Sequence, residues 1–217
     1  MEAIEKRIIT TSSELFFKHG LRNVTMDDIA HKLGISKKTL YQYYKDKNEI
    51  VSTITQQTIE CNCEEQNLIA SQSKNAIDEM MQIMAYTKKF FTEIHPSYTL
   101  ELQKYFPNAW DCFIKYKEEY IHKKIKNNLL RGIKEGLYRD DINIDLVIHH
   151  RMDGIEAAFR YASETKCSLA EVHTQLLELS IYGVCSLKGY KMFEKYKQPH
   201  PASPKGKSGS TLKKYKK

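Results

Sequence analysis

The chain has 217 residues, of which 41% are hydrophobic, 9 are glycine and 5 are proline, and its net charge is +7. This length allows one or two domains, and the long stretches without glycine or proline favour helices over a β-sandwich or barrel. No apolar run is long enough to cross a bilayer and the N-terminus lacks a signal-peptide core, so we expect a cytoplasmic protein without a membrane partner.

The positive charge is concentrated at the two ends of the chain. Residues 1–47 carry nine Lys and Arg against six Asp and Glu, residues 200–217 carry six Lys and no acid, and the long middle is close to neutral. Charge segregated in this way indicates a polyanionic partner. The segment 199–217 is rich in Pro, Gly, Ser and Lys, so we predict a disordered basic tail.

The cysteines do not indicate a disulfide framework or a metal site. They are odd in number and scattered through apparent helices. Cys61 and Cys63 form a close pair, but no neighbouring His or Cys completes the four ligands that structural zinc prefers. Free thiols, no metal and no cofactor are therefore expected.

Two short helices joined by a tight turn are predicted near the N-terminus. Thr25 can cap the first of them, with Asp28 three residues later, and Gly34 ends it as a left-handed residue would. Ser36 can cap the second, over residues 37–44. Two short helices with a glycine in the turn describe a helix-turn-helix.

A preceding helix supplies the surface against which this pair would pack. Apolar residues at helical spacing predict a helix over residues 3–19, which Gly20 ends. Ala30 provides the small residue needed where the two short helices cross. The side chains expected to point inward are Ile29, Leu33, Ile35, Leu40 and Tyr43.

The segment TMDDIAHKLGISKKTLYQYYKDKNEI resembles the DNA-binding segment of TetR-type (tetracycline-repressor-like) regulators. The resemblance covers roughly residues 4–55; the rest of the chain agrees only in general plan. It implies an all-α protein, with a three-helix DNA-binding domain over residues 1–47 and a helical ligand-binding and dimerisation domain over residues 48–198.

In such a fold the second helix of the motif enters the major groove, and its N-terminal residues meet base edges. Lysine can contact guanine or phosphate, threonine can contact phosphate or a thymine methyl group, and glutamine can bind adenine. Tyrosines have an apolar body and a hydroxyl that can reach a phosphate. The predicted DNA-contacting residues are Thr25, Ser36, Lys37, Lys38, Thr39, Tyr41, Gln42, Tyr43 and Lys47.

The remainder of the chain is predicted to form long helices, and no element shows strand alternation. Their expected ranges are 47–71, 75–94, 97–106, 108–135, 144–164 and 168–196.

Methionines and aromatic residues are concentrated between about residue 80 and residue 120. The simplest interpretation is a packed core, whereas the resemblance implies a cavity for an inducer. Methionine adapts to irregular ligands, and lysines are sparse here, so a small apolar or aromatic inducer is expected rather than a highly anionic one. The predicted ligand-binding residues are Met84, Phe91, Tyr105, Trp110, Phe113, Tyr116, Met152 and Phe159.

The last predicted helix carries an apolar stripe too wide for one buried face, and the helix over residues 144–164 is similar. Two such helices favour a four-helix interface between two subunits, and therefore a homodimer. Charged residues at Phe159 and Leu176 are expected to break it.

Other classes of protein fit less well. The sequence has no Gly-rich phosphate loop, no HExxH motif and no nucleophile elbow, so we expect no catalytic residues and no enzyme. A helical adaptor would not need the helix-turn-helix pattern. The sequence therefore favours a ligand-responsive repressor that acts as a homodimer on a palindromic double-stranded DNA operator. The alternative is a non-specific, nucleoid-type DNA-binding protein without ligand control.

Overall fold

The computed structural model describes residues 2–198, so the tail predicted over 199–217 lies outside the described residues. The described part is helical apart from turns and one isolated β-bridge, between Tyr138 and Cys185, which confirms the all-α fold class. The helices are α1 (Glu2–His19), α2 (Met26–Leu33), α3 (Lys37–Tyr43), α4 (Lys47–Gln72), α5 (Ala76–Thr92), α6 (Tyr98–Tyr105), α7 (Pro107–Lys115), α8 (His122–Lys134), α9 (Ile144–Thr165), α10 (Leu169–Val184) and α11 (Leu187–Lys197).

The turns between the first four helices follow the predicted signals. Gly20 and Gly34 have φ angles of 82° and 69°, in the left-handed region that glycine tolerates best. A Cβ at Gly20 would also lie 3.1 Å from the Glu101 carboxylate, so that turn is closed by a helix far along the chain. Asp46 accepts a hydrogen bond from the Glu49 amide at 3.0 Å and begins α4.

The N-terminal helices share one hydrophobic core with parts of the later helices. Ile8 of α1, Ile29 of α2, Leu40 of α3 and Ile50 of α4 are all 0% exposed. The same cluster continues into α6, α7 and the end of α9. The domain boundary expected at residue 47 therefore coincides with the start of α4, and one hydrophobic core continues across it.

The helix predicted over residues 108–135 consists of α7 and α8 joined by a π-helical turn, Tyr116–Ile121. Tyr116 and Tyr120 stack at 5.6 Å between ring centroids. Both contact α4, since Tyr116 accepts from Gln66 at 2.9 Å and Tyr120 donates to the Cys63 carbonyl at 2.8 Å. Single π-turns often mark functional positions in helices.

The single helix predicted over residues 168–196 is wrong, because the chain breaks between α10 and α11. Cys185 is extended, and the Ser186 hydroxyl caps α11 by accepting from the Gly189 amide at 3.1 Å. The segment around Leu137 fills the gap, where its carbonyl accepts from the Ser186 amide at 3.0 Å. A Cβ at Gly189 would lie 1.9 Å from the Leu137 carbonyl oxygen, so glycine is required for this contact. Apolar periodicity continues across the break, which is why the sequence did not reveal it.

Candidate DNA-reading surface and ligand cavity

Helix α3 presents a polar face and is fixed by one buried side chain. Lys37, Lys38 and Gln42 are exposed, whereas Leu40 is fully buried. The Ser36 hydroxyl accepts from the Thr39 amide at 3.0 Å, and the two hydroxyls lie 2.8 Å apart. The cap therefore fixes the first turn of α3, whose side chains are those expected to meet DNA.

The three tyrosines after Leu40 have different surroundings. Tyr41 is 45% exposed, Tyr43 is half-buried against the core, and Tyr44 is 4% exposed. Burial and nearby glutamates raise the pKa of Tyr44 to about 12, so its hydroxyl stays neutral. Tyr44 belongs to the core, whereas Tyr41 and Tyr43 keep surface from which a hydroxyl can reach a phosphate.

The start of α2 is held by the predicted capping box. The Thr25 amide donates to the Asp28 carboxylate at 2.8 Å, and the Asp28 amide donates to the Thr25 hydroxyl at 3.2 Å. The Thr25 hydroxyl also hydrogen bonds to the Asp28 carboxylate at 2.6 Å, and these contacts lower the pKa of Asp28. Thr25 is exposed at a helix N-terminus, where amides attract anions.

Two predicted DNA-contacting lysines have partners within the protein. The Lys37 ammonium lies 2.8 Å from Asp27, which raises the pKa of Lys37, but both side chains are more than half exposed and the pair adds little stability. The half-buried Lys47 donates to the Leu21 carbonyl, and burial lowers its pKa. Its ammonium lies within 6 Å of the Phe16 and Phe106 ring centroids. A phosphate contact by Lys47 therefore requires its side chain to turn away from the protein.

Hydrogen bonds connect α6, and the segment that precedes it, to the N-terminal helices. The His95 amide donates to the Phe17 carbonyl at 2.6 Å, and the Arg22 amide donates to the Glu101 carboxylate at 2.8 Å. The Ser97 hydroxyl donates to the other oxygen of that carboxylate at 2.8 Å. A movement of α6 would therefore be transmitted directly to the end of α1.

An aromatic cavity of about 140 Å³ lies between α4, α5, α6, α7 and α9, and Phe17 of α1 and His173 of α10 also line it. Phe91 and Phe159 form an edge-to-face pair in its wall, with ring centroids 5.4 Å apart. Polar side chains, including Thr55 and Gln66, interrupt the apolar lining, and the Thr55 hydroxyl is buried without a hydrogen-bond partner. The lining is of the mainly apolar kind that binds small molecules.

A second cavity of about 100 Å³ adjoins the first and is more polar. The two share lining residues, His173 among them. His173 is buried, its Nδ1 has no hydrogen-bond partner, and its ring packs on Phe91 at 4.6 Å. Burial and the nearby charge of Arg151 lower its pKa to about 4, so the ring is neutral at neutral pH. Below we call the two spaces the aromatic lobe and the polar lobe.

Half of the predicted ligand-binding residues lie at the cavity. Phe91, Phe113, Tyr116 and Phe159 line the aromatic lobe.

The other four predicted residues lie outside the lining of the two lobes. Met84 and Met152 are buried in the second hydrophobic core. Trp110 packs on Phe113 at 5.4 Å, and Tyr105 is 41% exposed beneath Arg22. Composition pointed to helices that line this cavity but did not give the direction of each side chain.

The polar lobe contains residues that the sequence reasoning did not single out. Arg151 lies on the same face of α9 as Ile148, Ile155 and Phe159, three or four residues apart. An arginine within an apolar stripe was therefore the available signal. His173 lies likewise on the buried face of α10.

Within residues 2–198 no group of three or more His, Cys, Asp or Glu side chains is arranged to hold a metal ion, and none of the five cysteines there forms a disulfide. None of the described helices is long and apolar enough to cross a membrane.

Residues 8–54 match the family model described as bacterial regulatory proteins, tetR family. The chain is 28% identical over 187 residues to the uncharacterized HTH-type transcriptional regulator YvaF of Bacillus subtilis, covering 83% of this chain and 95% of that protein. It is 22% identical over 181 residues to the HTH-type transcriptional repressor KstR2 of Mycobacterium tuberculosis, covering 82% of this chain and 90% of that protein.

The fold is also similar to that of a transcriptional regulator from Saccharomonospora viridis solved in complex with choline. The TM-score is 0.72 at 16% identity, covering 86% of this chain and 100% of the other. At this identity the likeness shows a shared fold.

Proposed function

The chain belongs to the tetR family of bacterial regulatory proteins, and from this premise we propose that it is a ligand-responsive repressor that binds a palindromic operator as a homodimer. The observation that carries the proposal is the exposed polar face of α3, held by the buried Leu40. Transcriptional regulators among the relatives favour this function over a non-specific nucleoid-type protein.

In this proposal the first turns of α3 lie in the major groove. Lys37, Lys38 and Thr39 contact bases or phosphates, and Gln42 binds adenine through its amide. The residues proposed for the DNA backbone are Thr25, Ser36, Tyr41, Tyr43 and Lys47. Asp27 keeps Lys37 in place until a phosphate replaces it, since the pair is exposed and weak.

The test begins with selection of an operator from random DNA and footprinting of the protected site. A nucleoid-type protein would give no discrete footprint. Gln42→Ala should change preference at one base pair of each half-site by about 1–3 kcal/mol and leave the salt dependence unchanged. Lys126→Ala, at an exposed position on α8, serves as the control. Unchanged base preference in Gln42→Ala would remove Gln42 from the reading face.

The proposed dimer interface lies on α9 and α10. Leu146 and Leu179 are 66% and 65% exposed, and Tyr161 is 53% exposed. Gly183 lies within α10 with nothing within 4 Å of a Cβ built on it, so a second helix has room for close approach. An exposed apolar face of this kind is typical of an interface.

Phe159 is not a suitable probe of this interface, contrary to the expectation from sequence. It is 4% exposed and lines the aromatic lobe, so a charge there would damage the core. Leu179→Glu is the sharper change. We expect it to give monomers in sedimentation and to lose most operator affinity, since one half-site provides little. Leu68→Glu, at a leucine of α4 that is 48% exposed, should remain dimeric. A dimeric Leu179→Glu variant would place the interface elsewhere.

Control by a small molecule would act through the cavity and α6. A ligand that favours a dimer in which the two α3 helices no longer match the ~34–36 Å repeat of the major groove would release the operator. The ligand must then bind more weakly when operator is present, because the coupling is reciprocal. Equal ligand affinity with and without operator would contradict this control.

A further inference from the structure

The polar lobe contains a positive charge without a bonded anion. The guanidinium of Arg151 has five N–H donors, yet its hydrogen bond within residues 2–198 is a long one, 3.6 Å, to the Met80 sulfur. Thioether sulfur is a weak acceptor. Arg151 also forms no salt bridge in the described chain, and burial lowers the pKa of its guanidinium.

The acid that acts on Arg151 electrostatically already has another partner. Glu79 lies 3.2 Å from Arg131, which also binds Glu135 at 2.8 Å. The carboxylate of Glu79 is therefore bound to Arg131 and accepts no hydrogen bond from Arg151. Charges that are withdrawn from water in proteins are normally paired, so a partly buried guanidinium that faces a cavity without an anion indicates a missing partner.

The remaining lining of the polar lobe also favours an anion. Lys124 and His150 line it together with Arg151, and neither lobe is lined by Asp or Glu from residues 2–198. The neutral His173, whose Nδ1 has no partner, lies where the two lobes meet. One face of the space therefore offers donors and positive charge, and the other offers aromatic rings.

The two lobes are aligned along one helix. Arg151, Ile155 and Phe159 lie on one face of α9, and eight residues of helix span about 12 Å. Arg151 lines the polar lobe, Phe159 the aromatic lobe, and Ile155 both. Each lobe is similar in size to a ~150 Å³ cavity that holds a benzene-sized molecule.

We propose that the cavity binds an amphipathic monocarboxylate, with its carboxylate on Arg151 and His173 and its apolar tail in the aromatic lobe. This rests on the effector role proposed above, and it adds one carboxylate to the small apolar or aromatic ligand expected from sequence. Planar guanidinium recognises carboxylate by paired hydrogen bonds, which lysine cannot reproduce.

The test compares three probes of equal chain length by calorimetry on the full chain: octanoate, its neutral amide octanamide, and octyltrimethylammonium. Charge-assisted hydrogen bonds should make octanoate bind roughly 10-fold to 100-fold more tightly than octanamide, with the cation weakest. Octanoate no tighter than octanamide, or no octanoate binding at all, would overturn the proposal.

Arg151→Met should abolish the preference for octanoate while leaving octanamide affinity unchanged, and Arg151→Lys should restore part of it. Removing an unpaired, partly buried charge is not expected to lower the melting temperature of the free protein. Arg160→Met, at an exposed arginine of the same helix, is the control. A preference that survives Arg151→Met contradicts the assignment, and the wild-type comparison decides the ligand class even if that variant misfolds.

Operator binding separates this inference from the proposed function. Arg151→Met should bind operator as the wild type does without octanoate, and should no longer respond to it. If octanoate binds with the expected preference but leaves operator affinity unchanged, the carboxylate site stands and ligand control of DNA binding fails.

Discussion

The proposed DNA-reading surface and the proposed ligand cavity differ in how far apart in the sequence their residues lie. The surface lies between Thr25 and Lys47, and its helices begin and end at local hydrogen bonds such as those of Thr25 and Ser36. The cavity brings together residues as far apart as Phe17 of α1 and His173 of α10, with side chains from helices between them. Local chemistry therefore defines the first region, and long-range packing defines the second.

The largest expected effect would show that the two regions can be damaged separately. Leu40→Ala removes the one fully buried anchor of α3 and should cost about 2–5 kcal/mol in the free energy of unfolding, with loss of operator binding. Phe159→Ala is the matched change at the cavity wall. Where it remains folded, it should keep operator affinity within about threefold, because no residue proposed to contact DNA is altered. Denaturant unfolding and operator titration measure both effects. Loss of operator binding by a folded Phe159→Ala variant would mean that the regions are not separable.

The sequence predicted α2, α3 and their caps because each signal acts within three or four residues. Thr25 with Asp28, Gly34, and Ser36 with Thr39 all have the geometry expected of them. The predicted DNA contacts remain untested predictions, since they depend on a partner. Lys47 illustrates the difference: its position at a helix start was predictable, but its turn towards Leu21 depends on packing.

The cavity was only partly predictable for the same reason. The Met and aromatic content pointed to helices that line the cavity, but a helix has several faces, and tertiary packing decides which face meets the cavity. Met152 and Arg151 are neighbours on α9, yet Met152 is core and Arg151 lines the polar lobe. The break at Cys185 also depends on a distant segment, around Leu137, filling the gap.

A pH titration would sharpen the contrast, because the buried histidine belongs to the cavity. The pKa of His173 is lowered to about 4 by burial and by Arg151, against about 6.5 in an unfolded chain. As the pH falls, the unfolded state therefore binds a proton at His173 at a higher pH than the folded state does. The contribution of neutral His173 to the free energy of unfolding is complete above pH ~6.5. It is lost as the pH falls from ~6.5 to ~4, at up to about 1.4 kcal/mol per pH unit.

His173→Leu should remove that part of the acid dependence of unfolding, a total of about 3 kcal/mol at pH ~4. His149→Leu, at an exposed position of α9, should retain it. Chemical denaturation at several pH values measures the slope. The same slope in wild type and His173→Leu would show that other groups account for the acid sensitivity.

A smaller effect tests how local the reading surface is. Thr25→Ala removes the cap of α2 and should lower the free energy of unfolding by about 1 kcal/mol. Thr92→Ala also deletes an exposed threonine hydroxyl, but one bonded to a carbonyl at the end of α5, and should cost less. If thermal unfolding showed the same loss of stability in both variants, the Thr25 cap would contribute no more to stability than an ordinary exposed threonine hydroxyl.

Substitutions of single lysines should have the smallest effect on operator affinity at physiological salt. They are also the most informative about which side chains contact phosphates. If Lys38 reaches a phosphate, Lys38→Met should reduce the slope of log K against log salt by about 0.9. If Lys47 also reaches a phosphate, Lys47→Met should reduce the slope by a similar amount but cost less affinity, because contact with DNA first requires the bond to the Leu21 carbonyl to break. Lys126→Met, on α8, should leave the slope unchanged. Operator titrations between low and physiological salt measure all three variants. An unchanged slope in Lys47→Met would assign Lys47 to the junction beside Phe16 and Phe106 alone, and would leave the phosphate contacts to α3 and the start of α2.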